Sequence, residues 1–223
     1  MAQYQSDLRD FYFNLFEYLK IQDDSAEYGE SELKDIIREF DKFVAKEIFP
    51  TRQEGDLVGV IQKEEKVIVP ESFKTVLNSF YENGWFALDQ PEDIGGMPAP
   101  EAIYVACQSL SIGANVALMM YPGLTKAGLN LIYKVGTAEQ KETYCAKIME
   151  GTWGGTMCLT EAGAGSDVGA VKTLAEPKEN GKYKITGVKT FISSGDSDIY
   201  ENIVHLVLDK SVCFSTCDLH IQQ

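Results

Sequence analysis

Basic residues are scarce in this 223-residue sequence, which holds 20 lysines and arginines against 34 aspartates and glutamates. The formal net charge is −14 at neutral pH, so a broad basic surface that could neutralise phosphates is not expected. Non-specific affinity for nucleic acid comes largely from such neutralisation, and we therefore expect no nucleic-acid partner. Any nucleotide cofactor would have to be held by main-chain N–H groups and hydroxyls.

Long apolar runs are also missing, because no uninterrupted stretch approaches the roughly 18 residues that a membrane helix needs. The N-terminal segment mixes acidic with apolar positions and lacks the basic start of a signal peptide. Apolar residues make up 44% and charged residues 24% of the chain, proportions typical of a globular domain rather than a disordered one. We therefore expect a soluble, cytoplasmic protein without a membrane span.

Cysteine and histidine are too few and too scattered to predict a metal centre. The five cysteines are an odd number without a pairing pattern, so reduced thiols are expected. Cys213 and Cys217 lie near His205 and His220 in the sequence, but their spacing fits no common zinc motif. We predict no metal ligands.

The hydrophobic pattern changes its period partway along the chain. Apolar residues such as Leu33, Ile37 and Phe40 recur three or four positions apart up to about Gly151, which predicts helices. From Trp153 onward short runs alternate with a period of two, which predicts strands. The sequence therefore indicates an α+β fold, with an all-α N-terminal helical domain followed by a truncated antiparallel β domain.

The pattern divides the chain into four expected segments. These are an N-terminal helical extension at 1–30, a helical domain at 31–152, a partial β domain at 153–208 and an irregular tail at 209–223. The predicted strands lie at 153–160, 182–186, 188–193 and 202–208. So small a sheet would have bare edges, which isolated domains rarely tolerate, and the β domain is therefore expected to be incomplete.

A glycine-rich loop follows the first predicted strand, in the segment Met157-Cys-Leu-Thr-Glu-Ala-Gly-Ala-Gly-Ser-Asp-Val-Gly169 (the first motif). Gly163 and Gly165 would free the main chain to adopt positive φ and let a ligand approach, while Ser166 adds a hydroxyl. Thr160 could present its main chain and hydroxyl to a ring with alternating donors and acceptors. Alone the loop is a weak signal, because it matches neither the dinucleotide fingerprint nor the phosphate-binding loop with its lysine.

A second motif, Lys189-Thr-Phe-Ile-Ser-Ser-Gly195, follows at the spacing of a β-hairpin excursion, and together the two motifs resemble the acyl-CoA dehydrogenase family. The residues that match the family signatures are Thr160, Glu161, Gly165, Ser166, Asp167 and Gly169 in the first motif and Lys189, Phe191, Ile192, Ser193 and Gly195 in the second. The chain departs from the family where Phe191 replaces a tryptophan, Ser193 replaces a threonine and Ala162 replaces a frequent proline. The N-terminal extension and residues 152–156 are similar to the subgroup that contains 3-methylmercaptopropionyl-CoA dehydrogenase.

The resemblance implies an FAD cofactor held by residues of both motifs. The implied cofactor-binding residues are Met157, Cys158, Leu159, Thr160, Gly165, Ser166, Phe191, Ile192 and Ser193. Thr160 would lie near the pyrimidine edge of the flavin, and Ser166 would face an FAD phosphate or the acyl-CoA substrate. Phe191 would stack beside the isoalloxazine ring, and Ser193 would form a hydrogen bond near N5.

The resemblance also implies that catalysis needs a residue outside this chain. Family members pass a hydride from the acyl β-carbon to flavin N5 while a glutamate of a C-terminal helical domain removes the α-proton. No catalytic residue is therefore predicted here, and the chain is expected to be an N-terminal fragment of an enzyme of fatty acid metabolism, without turnover by itself. The implied partners are acyl-CoA, an electron acceptor such as an electron-transfer flavoprotein, and further copies of the full-length chain in a homo-oligomer.

Two other interpretations stay open at this point. The chain could be a non-enzymatic module that binds acyl-CoA or flavin or serves assembly, or the fold could serve an acyl-CoA oxidase-like flavin enzyme. At the level of single residues, Phe191 and Ile192 could be ordinary strand core, and Glu161 and His205 are expected to be structural.

Overall fold

The computed structural model describes residues 4–25, 27–211 and 217–222, the last segment by its main chain. Two compact units make up the chain: Met1–Pro122 with Met149–Gly151, and Gly123–Ile148 with Thr152–Gln223. The division expected from the sequence, into segments at 1–30, 31–152 and 153–208, stays a prediction.

The first unit is built mainly from helices. Helices α1 to α4 span Leu8–Tyr12, Glu30–Phe43, Thr51–Leu57 and Glu71–Glu82, and α5 spans Glu101–Val135 and continues into the second unit. Single turns of tighter or wider helix lie at Phe13–Tyr18, Ile21–Asp24, Val44–Ile48, Trp85–Ala87 and Glu92–Ile94. Strands β1 (Ile61–Lys63) and β2 (Lys66–Ile68) form an antiparallel hairpin.

The core of the first unit confirms the helical spacing that the sequence predicts. Leu33, Ile37 and Phe40 lie on one face of α2 and are almost completely buried, as expected for an amphipathic helix. Phe40 meets Trp85 edge to face with ring centroids 5.0 Å apart. At the start of α2 the Glu32 carboxylate accepts a hydrogen bond from the Gly29 N–H (2.8 Å), which satisfies one of the free donors of the first turn.

Helix α5 is interrupted at Asn115, which has non-helical dihedral angles (φ −154°, ψ 90°). Its side chain accepts a hydrogen bond from the Leu118 N–H (3.1 Å) and donates one to Thr51 Oγ1 (2.8 Å), so it restarts the helix and ties it to α3. Among the described residues α5 is long and apolar enough to cross a membrane by length and composition. Half of its most apolar window is buried in the protein, which is the pattern of a core helix.

The second unit combines the end of α5 with short helices and a sheet. Helices α6 and α7 span Ala138–Gln140 and Ala146–Met149, joined by a wider turn at Lys141–Cys145. Strands β3 to β7 span Trp153–Cys158, Leu174–Pro177, Tyr183–Thr186, Asn202–Ser211 and Cys217–Gln222. The segment Thr137-Ala-Glu-Gln140 has the Thr-x-x-Gln pattern that predicts a capping box at a helix start. At the start of α6 Thr137 and Gln140 form the reciprocal side-chain to main-chain hydrogen bonds of this box.

The predicted α+β order, a helical part followed by a small sheet, is confirmed, but the sheet is mixed and the prediction of an antiparallel β domain is wrong in strand direction. Its strand order is β3-β6-β4-β5, with β7 also paired to β6. Strands β3 and β4 run parallel to β6, whereas β4–β5 and β6–β7 are antiparallel. The long connection from β3 to β6 brings the chain back to the same end of the sheet, which makes a parallel pair possible. Alternation within a strand carries no information about this direction.

Two further expectations about the β segment are wrong. The segment 188–193 forms no strand but part of a loop, and the described part of the tail is not irregular. Residues 209–211 continue β6, and β7 pairs with it from Cys217 to Gln222. The alternation of Asp218-Leu219-His220-Ile221 is the sequence signal for β7.

Candidate functional site

The end of strand β3 presents different side chains on its two faces, because successive residues of a strand point to opposite sides. Thr156 and Cys158 are buried on one face, where Thr156 Oγ1 lies 2.7 Å from His205 Nδ1 and 3.4 Å from Cys158 Sγ. Met157 lies between them, is partly exposed and pairs with Leu206 in the sheet register. A ligand along the Met157 face would therefore meet Cys158 only through its main chain.

The buried face holds neutral groups. Burial lowers the pKa of His205, with Asp196 acting in the opposite direction. Burial raises the pKa of the Cys158 thiol, which the hydrogen bond with Thr156 and the charge of Lys189 partly offset. The expectation of a structural His205 agrees with its bond to Thr156. Side chains of Cys213, Cys217 and His220 lie outside the described part of the structure.

The carboxylate of Glu161, just after β3, collects hydrogen bonds from three other residues. It accepts from the Lys172 N–H (2.7 Å), from the N–H and hydroxyl of Thr173 (2.9 and 2.6 Å), and from Lys189 Nζ (2.9 Å). Glu161 is only 9% exposed. Burial by itself would raise the pKa of this carboxyl, but the bonds from Thr173, Lys172 and Lys189 outweigh it and lower the pKa to about 2. Glu161 is thus a charged structural centre at neutral pH.

The two motifs lie side by side. The Thr190 N–H donates to the Thr160 carbonyl oxygen (2.9 Å), and Lys189 Nζ donates to the Leu159 carbonyl oxygen (3.0 Å). Together with the Lys189–Glu161 ion pair, these bonds join the end of β3 to the start of the second motif. The structure therefore brings Leu159, Thr160 and Glu161 of the first motif next to Lys189 and Thr190 of the second.

The glycine-rich loop forms a tight turn with an open outer surface. Main-chain hydrogen bonds in both directions between Glu161 and Ala164 (3.1 and 3.0 Å) close the turn. Gly163 and Gly165 do not adopt positive φ, so that part of the prediction is wrong. A Cβ atom on either would meet nothing within 4 Å, so both leave space for a ligand. Ser166 is exposed on the same stretch.

The second motif holds an aromatic side chain outside the core. Phe191 is 93% exposed and has a left-handed backbone (φ 58°), as does Ser194 (φ 58°). The alternative that Phe191 belongs to a strand core is therefore wrong. Ile192 is half-buried, and Ser193 is partly exposed at the following turn. Left-handed residues other than glycine are strained and concentrate at binding sites.

Several hydroxyls near Phe191 are buried without a hydrogen bond. Thr190 Oγ1, Ser194 Oγ and Ser197 Oγ have no partner among the described residues. Buried polar groups are nearly always bonded, so three such hydroxyls in one short segment are consistent with a ligand that supplies the partners. The exposed ring, the hydroxyls and the open glycines fit FAD, whose flavin is flat and has polar edges. The charged groups of Glu161 and Lys189 are not counted among the groups that would bind FAD, because they already pair with each other.

Two cavities flank the cluster formed by Glu161, Lys172, Thr173 and Lys189 (the Glu161 cluster). One of about 320 Å³ is lined on the β3–β6 side by Cys158, Lys189, Ile192 and His205. The other, of about 270 Å³, is lined by Glu161, Gly163 and Lys172 among others. Thr173 and Gly187 line both cavities.

Sequence reasoning did not assign roles to Thr173, Lys189 or Thr190. Lys189 belonged to the matched motif, and the opposite charges of Glu161 and Lys189 could have suggested their pairing. Thr173 follows the first motif and matches no sequence pattern that indicates a role. Its bonds to Glu161 are found only in the structure, where Thr173 directly precedes β4.

Comparison with known proteins gives two family matches. Residues 30–152 match the model described as acyl-CoA dehydrogenase, N-terminal domain, and residues 156–211 match acyl-CoA dehydrogenase, middle domain. The chain is 41% identical over 94% of its length to the broad-specificity linear acyl-CoA dehydrogenase FadE5 of Mycobacterium tuberculosis. It is 35% identical over 93% of its length to 3-methylmercaptopropionyl-CoA dehydrogenase of Ruegeria pomeroyi, which confirms the predicted similarity to the subgroup containing that enzyme.

The chain spans about a third of the length of these relatives, 35% and 36% respectively. Its fold resembles that of an acyl-CoA dehydrogenase from Bacillus anthracis complexed with FAD, with a TM-score of 0.72 and 24% identity, covering 88% of this chain and 31% of the other. The family matches and the two motifs agree, and the chain belongs to the acyl-CoA dehydrogenase family, with residues 30–152 matching its N-terminal domain and residues 156–211 its middle domain.

Proposed function

We propose that the chain contributes one side of the FAD site of an acyl-CoA dehydrogenase, an enzyme that introduces a double bond between the α- and β-carbons of an acyl-CoA thioester. The observation that carries the proposal is the Thr160–Thr190 hydrogen bond, which places the exposed Phe191 beside the end of β3. When bound, FAD would supply the hydride acceptor of this reaction. The general base would come from outside the described chain.

The chain's own residues would bind and orient the cofactor. Met157, Leu159 and Thr160 would line it at the end of β3, and Cys158 would take part through its main chain. Gly165 would allow close approach, and Ser166 would donate to a phosphate of FAD or of acyl-CoA. In the second motif Phe191 would cover the ring, Ile192 would support it, and Ser193 would donate a hydrogen bond to it. Hydroxyls and N–H groups suit an anionic ligand on a chain with net charge −14.

The wider role follows from the family. We propose acyl-CoA as substrate, an electron-transfer flavoprotein as electron acceptor, a homo-oligomer for the full-length protein, and a cytoplasmic place in fatty acid metabolism. Support for acyl-CoA as substrate comes from two relatives above 30% identity whose names describe acyl-CoA dehydrogenases. An oxidase-like flavin enzyme or a non-catalytic binding module would share the same site, and the oxygen reactivity of the reduced flavin and the turnover of the full-length protein would separate these possibilities.

Substitution of Phe191 tests the site. We expect Phe191→Ala to weaken FAD binding about tenfold, because a stacked aromatic contact is lost. Ser166→Ala should weaken it about fivefold through loss of one hydrogen bond. The measurement is titration of the 223-residue chain with FAD, followed by flavin fluorescence, and a yellow colour of the purified protein would be its simplest form.

A matched control is available in Tyr183, another exposed aromatic residue of the second unit (48% exposed) that lies on β5 outside both motifs. Tyr183→Ala should leave FAD affinity unchanged. Equal affinity of wild type, Phe191→Ala and Ser166→Ala would refute the site assignment.

A further inference from the structure

The side chain of Lys189 ends between two acceptors that both belong to the end of β3 and the first motif. Its Nζ donates to the Leu159 carbonyl oxygen (3.0 Å) and to Glu161 Oε1 (2.9 Å). The side chain of Lys189 is only 10% exposed. An ammonium so enclosed and already bonded is not available to a ligand phosphate, so its role has to be exerted through the protein.

Lys189 also lies directly before the residues that would meet a ligand. The next residue, Thr190, bonds to Thr160, and the one after it is the exposed, left-handed Phe191. A left-handed backbone at a non-glycine residue is strained and persists only where its surroundings enforce it. On the upstream side of Phe191, the Lys189 and Thr190 contacts supply that enforcement.

We propose that Lys189 is a positioning residue, which holds the second motif against the end of β3 so that Phe191 and Ser193 face the cofactor. This proposal rests on the proposed flavin site and deepens it. Lys189 does not touch the ligand, and it acts through the main chain of Thr190 and Phe191. Glu161 is the fixed counterpart in this arrangement, because its other bonds come from Lys172 and Thr173.

The same arrangement makes Lys189→Met an informative variant. Without the ammonium, the Glu161 carboxylate loses its counter-charge. It still accepts the bonds from Lys172 and Thr173, so it keeps hydrogen-bond partners. Methionine retains most of the apolar stem and fills similar space. The variant should therefore fold and lose chiefly the anchor of the second motif.

Amide hydrogen exchange tests the anchor without any flavin. In Lys189→Met the Thr190 amide should exchange about tenfold faster. The variant lacks the Lys189 bonds to Leu159 and Glu161, which hold the Thr190 N–H against the Thr160 carbonyl oxygen. Amides in the β3–β6 ladder should keep their wild-type rates. A merely structural role would accelerate exchange in the ladder as well, and an unchanged Thr190 rate would overturn the proposal.

FAD titration of the same proteins tests the consequence. We expect Lys189→Met to bind FAD about tenfold more weakly than wild type and to alter the absorption spectrum of the bound flavin. The control is Lys42→Met, which removes an equivalent lysine from an exposed ion pair with Glu39 and should change neither quantity. Wild-type affinity and spectrum in Lys189→Met would overturn the positioning role alone. Failure of the wild-type chain to bind FAD would overturn the flavin site and the positioning role together.

Discussion

Replacing Glu161 by alanine is expected to lower the free energy of unfolding by about 3 kcal/mol, the lower end of the range for removing one partner of a buried ion pair. The Glu161 carboxylate accepts bonds from Lys172, Thr173 and Lys189, and these donors would lose it together. The lower end applies because the cavities on both sides would admit water to the exposed donors. Chemical denaturation at neutral pH measures the loss.

An exposed ion pair provides the matched control for Glu161→Ala. Glu39 pairs with Lys42 at 2.7 Å, but the two side chains are 54% and 63% exposed. Glu39→Ala should therefore leave the free energy of unfolding nearly unchanged. Equal losses in the two variants would show that the Glu161 cluster contributes no more than an ordinary surface contact.

The same cluster predicts a pH dependence with a definite sign. The pKa of Glu161 is about 2 in the folded chain, below its ordinary value of 4.5. A lowered pKa means that the unfolded chain binds the proton more readily, so the contribution is complete above about pH 4.5 and is lost as the pH falls towards 2. Glu161→Gln should remove this part of the pH dependence. Denaturation curves of wild type and variant at several pH values between these limits would reveal it, and parallel curves would contradict it.

The sequence predicts well those features that depend on local pattern. The spacing of Leu33, Ile37 and Phe40 predicts the buried face of α2, and the Thr137–Gln140 pattern predicts the start of α6. Both are set by neighbours within one or two helical turns, so short-range periodicity is sufficient. The two motifs were found for a related reason, since each is a contiguous stretch whose residue types are specific.

Features set by distant parts of the chain could not be predicted in the same way. The direction of β6 relative to β3 depends on the long connection between them. The loop around Phe191 alternates like a strand but forms no ladder, because Lys189 and Thr190 bond to the end of β3 instead. The glycine at position 163 predicts a positive φ because glycine tolerates one, but the turn between Glu161 and Ala164 closes without a positive φ at Gly163. In each case a tertiary contact overrides the local preference.

Gly187→Ala is expected to disturb the Glu161 cluster from the other side. A Cβ atom on Gly187 would lie 2.1 Å from Thr173 Oγ1 and 2.8 Å from Thr173 Cα, distances that require the main chain to move. Overpacking of this kind costs about 1–3 kcal/mol in the free energy of unfolding. The displaced Thr173 hydroxyl would also leave Glu161, and since this bond lowers the pKa of Glu161, that pKa should rise in the variant. Denaturation and NMR titration of Glu161 measure the two effects.

Gly163→Ala separates this steric effect from the general cost of replacing a glycine near the cluster. Gly163 lines the same cavity as Gly187, but a Cβ atom there would meet nothing within 4 Å and its φ is not left-handed. Gly163→Ala should therefore leave the free energy of unfolding unchanged or raise it by about 0.5 kcal/mol, because alanine restricts the unfolded chain. If Gly187→Ala were as stable as wild type and left the pKa of Glu161 unshifted, the bond from the Thr173 hydroxyl to Glu161 would not depend on the absence of a side chain at position 187. The close approach of Gly187 to Thr173 would then have no part in building the cluster that joins the two motifs.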